Sequence, residues 1–329
     1  MPRERSGTAS RRRPAARTAA ALAVLCALVV AACGGDDGDD PRALHLVSLG
    51  DSLAVGVQPG LLGGGRETRQ GYPRQLADLL RDDGTPVVLH ELGCGGATSA
   101  SLLAGGRDCA PERDTPYANE DPTTSQASHA IGLLSRLGDR RRAVLLDIGG
   151  NDVGDCLRDG RVDPACLRRV GAALRENLDE LLGRLRDVAP DVPIGVLTLY
   201  DPLLGLWDEH PDARPALRRL HVLFLRTIDR TIVDVTRRHG ATVVDLADAM
   251  HQYAPFRPTD RRRPQAVAAI CDLTWMCVRP PRTPDIHLRR EGYRLAAEVA
   301  RRALGGALRS SLTVPSSVTA AAARPAPRP

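Results

Sequence analysis

The chain predicts an α/β fold in which a parallel sheet is covered by helices on both faces. Three observations carry that expectation: short, almost wholly apolar segments recur, amphipathic segments lie between them, and the residues able to do chemistry gather where the apolar segments end. Strands buried on both faces should read as continuous apolar runs, and five segments do: 44–49 (LHLVSL), 86–92 (PVVLHEL), 143–148 (AVLLDI), 193–199 (PIGVLTL) and 241–246 (ATVVDL). Helices are expected at 72–81, 126–137, 166–188, 214–239 and 289–304. In the fourth of these, Leu217, Leu220, Phe224, Ile228, Ile232 and Val235 recur at spacings of three and four, and Gly240 is placed to end it. No internal repeat or second domain boundary interrupts the alternation.

Composition narrows the function classes. With 329 residues, 43% of them hydrophobic, the chain can bury a core of one large domain or two small ones. The net charge of +5 comes from arginine alone, since no lysine occurs, and 40 acidic residues are spread among the 45 basic ones. Aromatics make up only 3%, so no basic stripe interleaved with aromatics exists and a nucleic-acid partner is not expected.

The amino terminus has the layout of a secretory signal. Residues 3–17 are arginine-rich, and 18–30 (TAAALAVLCALVV) form an apolar run too short to span a membrane comfortably. The junction Val30-Ala31-Ala32-Cys33-Gly34 resembles the lipobox of bacterial lipoproteins, which implies that Cys33 is diacylated and anchors an exported protein to the membrane. The alternative is plain secretion after cleavage near Ala32. On this reading 1–33 is the signal, 34–41 (GGDDGDDP) an acidic tether, 42–309 the globular domain and 310–329 a disordered tail. Setting aside Cys26 and Cys33, the other cysteines fall in three local groups. An exported chain then pairs most cheaply in sequence: Cys94 with Cys109, Cys156 with Cys166, Cys271 with Cys277. Zinc is disfavoured, because no CxxC pair or Cys/His cluster at ligand spacing occurs, and no metal or cofactor is expected.

Three strand ends carry unusual residues: Gly50-Asp51-Ser52-Leu53, Gly93-Cys94-Gly95-Gly96-Ala97-Thr98 and Gly149-Gly150-Asn151-Asp152. A fourth piece, Asp285-Ile286-His287 with Gly292-Tyr293 behind it, precedes the last helix. Each fits a part in acyl transfer. Ser52 at a strand-to-helix turn would be an exposed hydroxyl with its N–H at a helix start, and a histidine such as His287 can take the hydroxyl proton. The Gly96 N–H and the Asn151 amide can join the Ser52 N–H in supporting an oxyanion.

These four blocks, in this order, resemble the SGNH (GDSL) hydrolase family over about residues 44–304. The resemblance implies a flavodoxin-like three-layer α/β/α sandwich around a five-stranded parallel sheet, with Ser52 as nucleophile, Gly96 and Asn151 completing the oxyanion hole, and His287 as base. Gly95 is the alternative to Gly96, which is preferred because it precedes Ala-Thr as the family's block does. One departure matters: the family's aspartate three residues before the histidine is here Pro284, and Asp285 lies only two before. Either Asp285 orients the ring, or a backbone carbonyl does.

The expected activity is hydrolysis of a carboxylic ester through an acyl-enzyme on Ser52, with a small-molecule, lipid or glycan ester as substrate and the protein acting as a monomer. The alternatives are a carbohydrate O-deacetylase using the same residues, and a catalytically silent surface-binding module. Among lesser features, Leu61 to Gly65 reads as a surface loop, Tyr200 to Trp207 as a candidate pocket wall, Trp275 and Met276 as a stapled loop near His287, and His90 and His221 as core or surface histidines.

Overall fold

The structure is a computed structural model and describes residues 40–61, 63–105, 125–158, 161–256 and 263–310. Five parallel strands form the main sheet: β1 (Leu44–Gly50), β2 (Val87–Glu91), β3 (Arg142–Asp147), β4 (Ile194–Leu197) and β5 (Thr242–Val244). Their spatial order is β2-β1-β3-β4-β5, the flavodoxin-like order. Every residue of β1 is buried, which is why its sequence is apolar without alternation. Of its two buried polar side chains, His45 has its Nδ1 3.0 Å from His90 Nε2 with the rings stacked, whereas the enclosed Ser48 hydroxyl has no hydrogen-bond partner among the described residues.

The helices are α1 (Tyr72–Asp82), α2 (Ser99–Ala104), α3 (Gln126–Leu137), α4 (Pro164–Val188), α5 (Arg214–Phe224), α6 (Arg230–Arg238), α7 (Leu246–Ala249), α8 (Gln265–Leu273) and α9 (Arg290–Ser310). Their starts follow local chemistry. The Ser125 hydroxyl accepts the Ser128 N–H at the head of α3, Asp163 accepts from Ala165 before α4, and Thr98 and Ser101 form a reciprocal capping box on α2. Helices α1 and α9 pack together on one face of the sheet, and α3, α4 and α6 cover the other.

The helix expected over 214–239 runs without interruption from Arg214 to Arg238 but takes in a π turn, Leu225–Asp229, between α5 and α6. A close approach explains it. Gly171 of α4 sits so near this turn that a Cβ there would lie 2.6 Å from Thr227 Cγ2 and 2.9 Å from its carbonyl oxygen. The Thr231 hydroxyl donates to that same carbonyl at 2.8 Å, occupying an acceptor that the altered ladder leaves over.

Two disulfides fasten loops to this frame, Cys156–Cys166 and Cys271–Cys277. Cys109, and with it the expected pairing to Cys94, lies outside the described residues, as do Cys33 and the signal and tail segments. His221, expected as a core or surface histidine, is 2% exposed, and its Nδ1 and Nε2 lie 3.2 Å from an Asp201 carboxylate oxygen and 2.8 Å from the Gln252 carbonyl.

Candidate active site

The strand order places a switch point between β1 and β3, because the chain leaves β1 for β2 on one side and returns to β3 on the other. In such sheets a crevice opens at the carboxyl ends of these strands. Ser52 lies there. Gly50 ends β1 at φ +144°, and a side chain on it would collide with the Asp147 carboxyl at 2.5 Å. The buried Gln126 amide holds the backbone of Gly50 from both sides, accepting its N–H and donating to its carbonyl, each at 2.9 Å.

Ser52 does not open a helix, as expected from the sequence, but sits in a single hydrogen-bonded turn. The Val55 N–H donates to the Asp51 carbonyl at 3.4 Å and Val57 to the Ser52 carbonyl at 3.0 Å, after which the chain enters a short ribbon of Gln58–Pro59 with Gly65–Arg66. The reason is the Asp51 side chain, whose Oδ1 accepts the Leu53 N–H at 3.1 Å and the Ser52 hydroxyl at 3.4 Å, shaping a turn that does not propagate. From α9, the Tyr293 hydroxyl reaches the carbonyls of Val57 at 2.9 Å and Ser52 at 3.4 Å.

Beyond β2, the Cys94 N–H donates to the Gly50 carbonyl at 3.1 Å, which draws the second glycine block against the first. Within that block the two candidate glycines differ. The Gly95 N–H is taken by the Glu67 carboxylate at 2.9 Å, whereas the Gly96 N–H has no acceptor among the described residues. Gly96 adopts φ +84°, a conformation that favours glycine. After β3, Gly149 at φ +116° turns the chain toward Asn151, whose amide donates one hydrogen to the Ala97 carbonyl at 2.9 Å and has a second to offer. Asp152 beside it accepts from the Ser99 N–H at 2.9 Å and the Ser99 hydroxyl, locking the second and third blocks together.

His287 lies on a strand, Asp285–Leu288, paired antiparallel with Thr274–Trp275. Alternate residues of a strand share a face, so Asp285 and His287 point the same way. The Asp285 Oδ1 lies 2.6 Å from His287 Nδ1 and also accepts the His287 N–H at 2.9 Å. The carboxylate one position later than usual therefore reaches the ring. Burial would raise the Asp285 carboxyl, but the hydrogen bonds from the ring and backbone of His287 outweigh it and hold the group below its ordinary value. The segment is pinned by the Tyr200 hydroxyl on the Ile286 carbonyl at 2.7 Å and the Gln58 amide on the Leu288 carbonyl at 2.9 Å.

Ser52, Asn151 and His287 line one cavity of about 210 Å³. Its remaining wall is mainly apolar, with Leu53, Leu167, Leu199, Leu203, Phe224 and Ile286 prominent. Tyr200, Asp201 and Pro202 belong to it as the sequence suggests, whereas Trp207 packs on Phe256 with ring centroids 5.3 Å apart. Gly96 is not part of the cavity wall and stands beside Ala97, the acceptor of the Asn151 amide. Sequence reasoning overlooks some of the residues that hold this arrangement, among them Gln126, Glu67 and Asp147. Their only signal is a polar group in an apolar setting, visible for Asp147 in AVLLDI and absent for the others.

The chain matches the model of the GDSL-like lipase/acylhydrolase family over residues 48–295. No curated protein sequence matches it. Among solved structures it is similar to phospholipase A1 from Streptomyces albidoflavus NA297, at 20% identity over 79% of this chain and 98% of that one, with a TM-score of 0.44. It is similar also to an extracellular lipase from Streptomyces rimosus (20% identity, 79% and 99% covered, TM-score 0.43) and to a Clostridium thermocellum family 3 carbohydrate esterase (18%, 82% and 98%, TM-score 0.41). Because the family match spans most of the chain and takes in all four blocks, the chain belongs to the GDSL-like lipase/acylhydrolase family and is a carboxylic ester hydrolase.

Proposed function

We propose that the chain hydrolyses esters of an apolar acyl chain of medium length by way of an acyl-enzyme on Ser52. The observation that carries this reading is the apolar cavity running from Ser52 and His287. At roughly 30 Å³ per water molecule its volume admits about seven water-sized groups, more than an acetyl group needs. In this mechanism His287 Nδ1 is engaged by Asp285, which leaves Nε2 as the ring nitrogen to take the Ser52 proton. Attack on the ester carbonyl forms a tetrahedral oxyanion that takes hydrogen bonds from the Ser52 and Gly96 N–H groups and from the second Asn151 amide hydrogen. The imidazolium returns its proton to the departing alcohol. Water then enters, gives a proton to the same ring, and releases the acid while Ser52 recovers its hydrogen.

Export and anchoring through Cys33 belong to the same proposal, supported by the apolar run ending at a small-residue junction and by two disulfides suited to an oxidising compartment. The Asp285 carboxylate on His287 supports an active hydrolase over the silent-module alternative. A panel of esters from acetyl to long acyl chains and a set of acetylated sugars, run on wild type and Ser52→Ala, tests the reading. The expected optimum is a medium chain, with Ser52→Ala folded but slower by about four orders of magnitude or more and unlabelled by a fluorophosphonate. Turnover confined to acetylated sugars would assign an O-deacetylase, and an unlabelled wild-type Ser52 would overturn the mechanism.

A further inference from the structure

Ser52 and His287 stand on separate pieces of chain, a turn and a ribbon, and the side chain of Gln58 joins those pieces directly. Gln58 follows Val57, whose N–H donates to the Ser52 carbonyl at 3.0 Å, and it opens the Gln58–Pro59 strand that pairs with Gly65–Arg66. Its backbone is thereby fixed to the turn that carries Ser52. Its amide reaches the other way. Nε2 donates to the Leu288 carbonyl, one residue beyond His287, at 2.9 Å and to the Val57 carbonyl at 3.1 Å, while Oε1 accepts the Trp275 indole N–H at 3.1 Å. Leu288 and Trp275 belong to the two paired strands of the ribbon, so a single amide holds both.

The partners fix which way the amide faces. Carbonyls only accept hydrogen bonds and an indole N–H only donates, so the NH2 must meet the carbonyls and the oxygen must meet the indole. Trp275 thus selects the orientation that ties Leu288. The indole is itself held in place: the guanidinium carbons of Arg282 and Arg289 each lie 5.0 Å from its ring centroid, and Arg289 Nε donates to the Thr274 carbonyl at 2.7 Å. The Cys271–Cys277 disulfide closes the chain on either side of the Thr274–Trp275 strand. Methionine at position 58, of similar length, would make none of the three bonds, and glutamate would set a carboxylate against two carbonyls.

We propose that Gln58 is a positioning residue of this hydrolase, its amide setting the separation across which the Ser52 proton passes to His287. This rests on the reading of Ser52 and His287 as nucleophile and base. The ribbon lies outside the five-stranded sheet, so no ladder of the main sheet sets its distance from Ser52. Tyr200 ties the ribbon to the segment after β4 and Tyr293 ties the turn to α9, whereas Gln58 ties ribbon and turn to each other. Proton transfer requires heavy atoms about 2.6 to 3.2 Å apart, and a misplacement of about 1 Å lowers the rate on the order of a hundredfold. Gln58 lies outside the cavity wall, so its effect falls on the reacting pair and not on an acyl chain held there.

Gln58→Met should lower kcat about ten- to a hundredfold with KM within about twofold of wild type, and should slow fluorophosphonate labelling of Ser52 by the same factor. A purely structural glutamine would lower the thermal midpoint and leave the rate per folded molecule unchanged. Trp275→Phe keeps an aromatic ring beside the two arginines and removes the N–H, so it should slow labelling about three- to tenfold, and it decides the matter alone where Gln58→Met does not fold. The double variant should be no slower than Gln58→Met, because the indole N–H acts through the amide. Labelling at the wild-type rate in folded Gln58→Met or in Trp275→Phe, or losses that add in the double variant, would overturn the proposal and leave Ser52 as the nucleophile. A wild-type chain that takes no label would overturn the underlying reading, and the proposal with it.

Discussion

A carboxylate two residues before a histidine can orient it only where the intervening backbone is extended, and the ribbon partner Thr274–Trp275 supplies that extension. The Asp285–His287 pair is thus a local strand property, whereas a three-residue spacing would need a turn. Removing the charge should leave the ring free to adopt the other tautomer. Asp285→Asn should lower kcat roughly a hundred- to ten-thousandfold with little change in KM, since in the proposed mechanism the carboxylate acts on the base and not on the substrate. The same variant should change the acid limb of stability. Asp285 is held below its ordinary value of 3.8, so the stability it contributes is present above that pH and is lost as pH falls through the folded value. Thermal unfolding of Asp285→Asn should accordingly show a weaker acid loss than wild type, and an unchanged kcat would show that the ring is oriented by something else.

At the scale of elements, α4 and the π turn approach closely at Gly171. Alanine favours helix over glycine by about 1 kcal/mol, so an exposed Gly171→Ala would stabilise α4. Here the new methyl meets the Thr227 side chain and carbonyl at 2.6 and 2.9 Å, and the backbone cannot give way cheaply. Overpacking should win, and Gly171→Ala should cost about 1 to 3 kcal/mol in denaturant unfolding; a stabilised variant would show that the helices slide apart. This contact also marks the limit of what the sequence discloses. The five strands and the outer helices are legible because each is fixed by its own apolar period, and the four glycine-bearing blocks because they stand at strand ends. The π turn keeps the three- and four-residue spacing of its neighbours and is set by Gly171, more than fifty residues away. Gln126 and Glu67 are hidden for the same reason: each acts on a distant backbone, and nothing next to it in the chain records that target.

At the scale of the whole molecule, the cavity belongs to no single element. Leu53 comes from the turn after β1, Leu167 from α4, Leu199 and Leu203 from the segment that follows β4, Phe224 from α5 and Ile286 from the ribbon, so only the assembled sheet order brings the wall together. Acyl preference is then a tertiary property that single substitutions can shift without touching the reacting groups. Phe224 is 9% exposed and closes one side of the cavity just before the π turn. Phe224→Ala should enlarge the space and move the chain-length optimum upward, while Leu203→Trp should fill it and favour acetyl and other short esters. Each lost or gained methylene contact in an apolar pocket changes discrimination by about 1 to 3 kcal/mol, or roughly ten- to two-hundredfold in relative kcat/KM. The two substitutions should act in opposite directions on the same panel of esters, with fluorophosphonate labelling of Ser52 held close to wild type because the serine, the ring and the amide donors stay in place. A panel in which both variants lose all esters in parallel would mean that the cavity supports the fold and that the acyl chain lies elsewhere along the crevice.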